Sequence, residues 1–284
     1  MSYIDLHTHT TASDGTDTPS MLVQHALQCN LSAIAITDHD TVDGIAEGEI
    51  AAQTTSLTVI PGIELSCQYQ TKEIHMLGYF IDRKNETFLN KLEQLKRGRE
   101  QRNEQIRQKL EQHGMPLTME QIQNYEPNTV ITRAHFARAL VEAGYIKTKE
   151  EAFSKYIGND CPCYVEKPAF SCNDAIQLIR QAGGVAVLAH PLLYKLGYKE
   201  LEEMIVGLKQ YGLTGVEVYH SSHNISNSGT LRELIRPYGL LPTGGSDYHG
   251  SNKPNVRLGT GYGGMKVSHA LLDDLKKAWI SQLL

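Results

Sequence analysis

Most of the histidines in this chain stand at one kind of place, directly after a short run of β-forming residues. His7 and His9 follow Tyr3–Leu6. His39 follows Ala33–Thr37, inside Thr37-Asp-His-Asp-Thr41. His190 ends Val185–Ala189, before Pro191. His220 and His223 follow Val216–Tyr219, and Asp247 and His249 follow the run that begins at Leu240. Two further runs, Ile63–Tyr69 and Ile74–Phe80, carry Glu64 and His75. Independent structural histidines have no reason to share one end of a set of strands. Strands of a parallel barrel do share an end, and side chains carried there assemble on one face. His7 and His9 are two apart, so in extended backbone they project the same way, and Asp247-Tyr-His249 repeats that spacing.

Helical patterns separate the early runs. Pro19–Cys29 has Thr18 as its N-cap and Pro19 at the first helical position. Asp43–Thr54 is a second, Ala-rich stretch, and Leu57–Ile60 is a short β-run after it. Alternating strands and helices point to parallel βαβ units. Val185–Ala189 is apolar throughout, as expected of a strand covered on both faces. From about residue 84 the pattern changes. Asn85–His113 is highly charged, with Leu89, Leu92, Leu95, Ile106 and Leu110 at helical spacing, and reads as a solvated amphipathic helix. Arg133–Ala143 and Lys149–Tyr156 are helical too, and the next strand is expected at Cys163–Val165. The alternation resumes with Asp174–Gln181 and Leu201–Tyr211. The expected organisation is therefore a barrel formed by 1–83 and 168–284, with 84–167 as a helical insertion capping the site. His25, His113, His135 and His269 fall in helical segments. His25 and His113 are read as ordinary helix residues.

Composition excludes several classes. With 40% hydrophobic and 21% charged residues the chain is globular rather than disordered. Its 27 Lys and Arg against 32 Asp and Glu leave a formal charge of −5, so no global basic field attracts nucleic acid. No apolar stretch reaches the length of a membrane span. Met1–Thr10 has no basic n-region of a secretory signal. Five cysteines, an odd number in a chain too long to need disulfide staples, indicate a reduced, cytoplasmic protein. Cys161-Pro-Cys163 lacks the second pair that a zinc site would need.

In order, the chain carries Asp5-Leu-His-Thr-His9 with Ser13-Asp-Gly15, Thr37-Asp-His-Asp-Thr41, Pro61-Gly-Ile-Glu64, Ile74-His75, Ala189-His-Pro191 and Gly245-Ser-Asp-Tyr-His249. These motifs resemble the polymerase and histidinol phosphatase (PHP) family of metal-dependent phosphoesterases. The resemblance implies an α/β fold, a distorted (β/α)7 TIM-like barrel with a trinuclear metal centre at its C-terminal mouth. It places a first metal on His7, His9, Glu64 and Asp247. A second would share Glu64 and add His75 and His190, and a third would use Asp14, His39 and His249. Some members carry histidine where this chain has Asp14, which would harden the third site. Thr132-Arg-Ala-His-Phe-Ala-Arg-Ala-Leu140 and Glu217-Val-Tyr-His-Ser-Ser-His223 resemble the branch acting on nucleoside 3′,5′-bisphosphates and short RNA 5′ ends.

The ligand types agree with that chemistry on their own account. Imidazoles mixed with carboxylates suit manganese, zinc or iron, and suit magnesium less. Two to three divalent ions are expected. A pair bridged by Glu64, about 3.5–4 Å apart, would hold a shared hydroxide for in-line attack on phosphorus. Asp5, Asp38 and Asp40 either accept from metal-bound imidazoles or order turns. Arg133 is the candidate clamp for a second phosphate, since a guanidinium matches phosphate oxygens in a fork. His223 and His220 are candidates for holding the scissile phosphate or protonating the leaving oxygen. His135 and Arg138 are weaker candidates. Arg133, His223 and Asp247 are the expected catalytic residues. Three divalent ions would turn the formal charge of −5 into about +1, so an acidic chain can present a cationic mouth.

The leading expectation is an enzyme, a phosphoric ester hydrolase acting on a nucleotide phosphomonoester. The preferred substrate is a nucleoside 3′,5′-bisphosphate or a short oligoribonucleotide. A histidinol-phosphate or general small-molecule phosphatase is the alternative, and a non-catalytic, metal-bound nucleotide-binding module is a third reading. Neither a membrane nor an obligate protein partner is indicated.

Overall fold

A computed structural model describes residues 2–123, 130–166 and 169–284. The described strands are β1 (Tyr3–Thr8), β2 (Leu31–Ile36), β3 (Thr58–Tyr69), β4 (Lys72–Tyr79), β5 (Phe170–Ser171), β6 (Val185–Leu188), β7 (Leu213–His220), β8 (Leu241–Gly245) and β9 (Val267–Ser268). They form one sheet in the order β8-β7-β6-β4-β3-β2-β1-β9, with β5 beside β3. Beyond β8 the chain turns back onto β1. Asp247 N donates to His7 O and His9 N to Tyr248 O, both at 2.9 Å. Those bonds bring the two sides of the sheet together, so the α/β fold is a nearly closed barrel.

The helices are α1 (Pro19–Gln28), α2 (Ile45–Ala52), α3 (Glu86–Gln112), α4 (Met119–Gln123), α5 (Arg133–Glu142), α6 (Lys149–Ala152), α7 (Cys172–Gln181), α8 (Tyr198–Lys209), α9 (Ile225–Ile235) and α10 (His269–Leu283). The start of α1 is set as its sequence implies: Thr18 Oγ1 accepts from Met21 N at 3.2 Å, and Pro19 needs no donor there. No helix among the described residues is long and apolar enough to cross a membrane.

The contacts divide the chain into two compact units, one of residues 1–89 and 169–284, the other of 90–168. In the first unit, Ile4 and Leu6 pack with Ala33, Ala35, Leu77, Tyr79, Val185 and Val187. The pleat then leaves Asp5, His7 and His9 to the opposite face. In the second unit, Ile106 and Leu110 of α3 join Phe136, Leu140, Ile157 and Cys163.

Three expectations change. Leu57–Ile60 and Ile63–Tyr69 are one strand, β3. Pro61 lies where β3 passes from its parallel partner β2 to its antiparallel partner β4, so its missing N–H interrupts neither ladder. At Gly62 an added Cβ would meet Thr37 Cγ2 at 2.8 Å and Ile36 O at 2.9 Å. The strands are not all parallel either, because β4 runs antiparallel to both β3 and β6. The β3–β4 connection is a tight hairpin with Gln70 at φ +52°, leaving no room for a crossover helix. Finally, Cys163–Val165 is not a strand. Asp160 at φ +63° turns the chain, and Cys163 N and Tyr164 N are taken up locally by Tyr156 O and Cys161 O.

Candidate metal centre

Backbone pairing at the strand ends carries the candidate ligands together. Past β2, Glu64 N donates to Asp38 O and Asp40 N to Glu64 O, which holds the His39 turn against Glu64 of β3. Ala189 N bonds His75 O, setting His190 beside His75. Gly245 lies so close to β1 that a Cβ there would fall 2.3 Å from His7 N. This approach delivers Asp247 and His249 to His7 and His9.

Glu64 is the hub. Its Oε1 lies 2.8 Å from both His75 Nδ1 and His190 Nε2. Its Oε2 lies 3.1 Å from His39 Nδ1, 3.2 Å from His9 Nε2 and 3.3 Å from His7 Nε2. Asp247 Oδ1 stands 3.4 Å from His9 Nε2 and 3.6 Å from His7 Nε2. Asp14 Oδ1 is 3.2 Å from His249 Nε2, and its Oδ2 is 3.9 Å from His39 Nε2. Four groups of donor atoms close enough to share an ion result. They are His9-Asp14-His39-His249, His7-Glu64-His190, His7-His9-Asp247 and His39-Glu64-His75. All nine residues of the expected ligand set are thus brought into one cluster. His9 stands with both the Asp247 group and the Asp14 group.

Buried donor atoms in this cluster lack hydrogen-bond partners: His7 Nε2, both ring nitrogens of His9, His39 Nδ1, His190 Nδ1 and Glu64 Oε2. Leaving one such atom unpaired in a protein interior costs about 1–3 kcal/mol. A convergent group of them is the arrangement a cation satisfies. The residues present therefore fit a cluster of divalent ions.

The electrostatics follow from burial against mutual attraction. Burial alone would lower His9, but Asp247, Glu64 and Asp14 outweigh it and raise it to about 9. His75 is likewise raised to about 9 by Glu64 and Glu73 against the effect of burial. His190, where burial dominates over Glu64, is lowered to about 4. Asp14, Glu64 and Asp247 are held well below the usual carboxylate range, burial being overcome by the facing imidazoles and, at Asp247, by Lys253.

Glu217 went unrecognised as a site residue in the sequence. It is fully buried in β7 and takes two contacts, His7 Nδ1 at 2.9 Å and His190 N at 2.7 Å. The Glu217 carboxylate accepts from His7 Nδ1–H, which leaves Nε2 as the ring atom facing the cluster, and against the effect of burial Glu217, Glu64 and Asp247 hold His7 well above the usual imidazole range. A lone carboxylate in the otherwise apolar run Val216–Tyr219 was the available signal. Lys253 also went unrecognised, and its Nζ lies 2.6 Å from Asp247 Oδ2. Asp5 accepts from Ser246 N, Gly259 N and His7 N, and Asp38 from Thr10 and Ser13. Both order the loops under the cluster. Asp40 accepts from Ser66 N.

His220 and His223 lie at the edge of the cluster. His220 Nδ1 accepts from Ser222 N at 3.1 Å, which leaves the proton on Nε2, 3.4 Å from Asp247 Oδ2. His223 Nδ1 donates to Val218 O at 2.9 Å, so its buried Nε2 is an acceptor. The other expected substrate contacts lie in the second unit. Arg133 Nη1 bonds Asn159 Oδ1 at 3.0 Å, and its guanidinium lies 5.5 Å from the Tyr164 ring centroid. His135 Nδ1 accepts from Thr132 N at 3.1 Å as part of the α5 cap. Arg138 is tied to Glu142 and to Ile122 O.

The PHP domain model matches residues 5–161. Over 247 residues the chain is 36% identical to the 5′-3′ exoribonuclease Rnm of Escherichia coli, covering 86% of this chain and 84% of that protein. It is 32% identical over 270 residues to the 3′,5′-nucleoside bisphosphate phosphatase of Chromobacterium violaceum, covering 95% and 92%. The crystal structure of a protein from Bifidobacterium adolescentis described as a metal-dependent phosphoesterase superposes with a TM-score of 0.85. That pair shares 31% identity and covers 99% and 96% of the two chains. Taken with a barrel whose strand ends gather histidines and carboxylates, these matches show that the chain belongs to the PHP-domain family of phosphoester hydrolases.

Proposed function

We propose that this protein removes a phosphate from a nucleotide, the preferred substrate being a nucleoside 3′,5′-bisphosphate. The observation that carries the reading is the convergence of unpaired, buried imidazole and carboxylate atoms around Glu64. His7, His9, Asp14, His39, Glu64, His75, His190, Asp247 and His249 would hold two to three ions of manganese, zinc or iron. When bound, such ions lower the pKa of water toward neutrality and neutralise phosphate oxygens.

The chain's own groups divide the remaining work. Glu217 keeps the His7 proton on Nδ1 and so presents Nε2 to the site. His220 offers a proton on Nε2 beside Asp247, which suits a hydrogen bond to a phosphate oxygen. His223 offers an acceptor. When protonated, it is the group to deliver a proton to the leaving oxygen. Arg133, with His135 as the weakest candidate, is assigned to a second phosphate. The five free cysteines suit a cytoplasmic setting.

The test is metal analysis of the purified protein together with phosphate release from three substrates. Adenosine 3′,5′-bisphosphate should be cleaved and histidinol phosphate should be poor. Efficient histidinol phosphate cleavage would move the assignment to the small-molecule phosphatases. No release from any substrate by metal-loaded protein would leave a binding module. A 5′-phosphorylated oligoribonucleotide belongs in the panel because the 36% identical relative is a 5′-3′ exoribonuclease. Its stepwise shortening would make this chain a nuclease as well.

A further inference from the structure

Beside the cluster lies a cavity of about 930 Å³ formed within the first unit. Its lining includes His220, His223, the first turn of α9, and Tyr262 and Lys266 in the loop before β9. The volume is in the range of pockets that hold drug-sized ligands, about 300–1,000 Å³, and is larger than a lone phosphate requires.

The lining has two characters. Ile225 is 94% exposed and Tyr262 is 65% exposed. An isoleucine and a tyrosine left bare beside a polar site form a platform for a flat, apolar ring. Tyr262 is held out by glycines on both sides, Gly261 at φ +56° and Gly263 at φ +109°. A Cβ on Gly261 would fall 2.7 Å from Ser221 Oγ, so the loop is packed against the end of β7 and the platform is fixed to the site. The rest of the lining carries two cations. Arg232, anchored to Tyr219 OH at 3.2 Å, and Lys266 are its charged residues, and no carboxylate lines it among the described residues. Nε2 of His223, also in the lining, is a buried acceptor without a partner.

We propose that this cavity seats the nucleobase of the substrate. The base stacks on Tyr262, which leaves His223 Nε2 for the ribose oxygen from which the phosphate departs. The proposal rests on the nucleotide reading of the metal centre and deepens it. It names the base as a recognised part of the substrate.

The experiment is calorimetric binding to metal-loaded protein of two non-hydrolysable probes, the 5′-methylenephosphonate analogues of adenosine 5′-monophosphate and ribose 5-phosphate. Wild type should bind the adenosine probe about tenfold more tightly, the usual size of a base–aromatic stack. Tyr262→Ala should abolish that difference and Tyr262→Phe should keep it. Tyr262 is an exposed loop residue, so loss of folding does not confuse the result. Equal binding of the base-bearing and base-free probes, or equal weakening of both by Tyr262→Ala, would overturn the proposal. Phosphate release by wild type is read separately. A protein that turned over no nucleotide yet discriminated the two probes through Tyr262 would lose the enzymatic reading and keep the base seat.

Discussion

Glu64 shows how far one residue type at one position can organise a site. It is a buried carboxylate within 3.3 Å of five imidazoles, and no single one of those neighbours accounts for its depressed pKa. The same crowding predicts how metal enters. In the metal-free protein His9 and His75 titrate at about 9 and hold protons at pH 7. Binding a cation must displace them, so affinity rises with pH until about 9, by up to about tenfold per unit for each proton displaced. Titrations at pH 6, 7 and 8 in buffers of different ionisation heat check this. Proton release near zero would contradict it. Glu217 acts one step back from the cluster. Glu217→Gln keeps the shape but weakens the hold on the His7 proton, and metal affinity should fall about 10–100-fold by chelator competition while the fold persists. Arg133→Ala should lower kcat/KM for a 3′,5′-bisphosphate more than for the corresponding monophosphate. Equal losses on both would remove Arg133 from substrate recognition.

At the scale of elements, the site depends on strands approaching more closely than side chains permit. Gly245 is the point of contact between β8 and β1, where a Cβ would overlap His7 N and Cβ at 2.3 Å each. Gly245→Ala must push the strands apart. A destabilisation of about 1–3 kcal/mol is expected from overpacking alone, read as a lowered urea midpoint, with weakened metal binding because Asp247 and His249 move with β8. Backbone strain gathers here too. Asp40, His190 and Asp247 adopt φ of +53°, +23° and +57°. Such conformations persist only where surrounding contacts impose them, and they cluster at functional sites. The period-two apolar runs were enough to read most of these strands, because alternation is local. The antiparallel direction of β4 was not readable. Its apolar pattern is the same in either direction, and only the short Tyr69–Lys72 turn excludes a crossover.

For the whole molecule, metal binding at the cluster should add to the stability of the fold. A ligand that binds only the native state stabilises it by about 4 kcal/mol per site when present at a thousandfold its Kd. For a chain of this size that is on the order of 10 °C in melting temperature. Chelation should lower the melting temperature accordingly, and restoring manganese or zinc should recover it. An unchanged melting curve would argue against a loaded cluster in the folded state. The sequence by itself determined the alternating α/β pattern, the break into a helical segment near residue 84 and all nine clustered ligand candidates. Each of these is encoded in local periodicity or in a motif a few residues long. Only the tertiary structure decided that Glu217 holds His7, that Lys253 reaches Asp247, and that Tyr262 stands on the same cavity as His223. Those pairings join residues from separate strands and loops. Closing the barrel brings them within a few ångströms, and no local spacing in the chain records that.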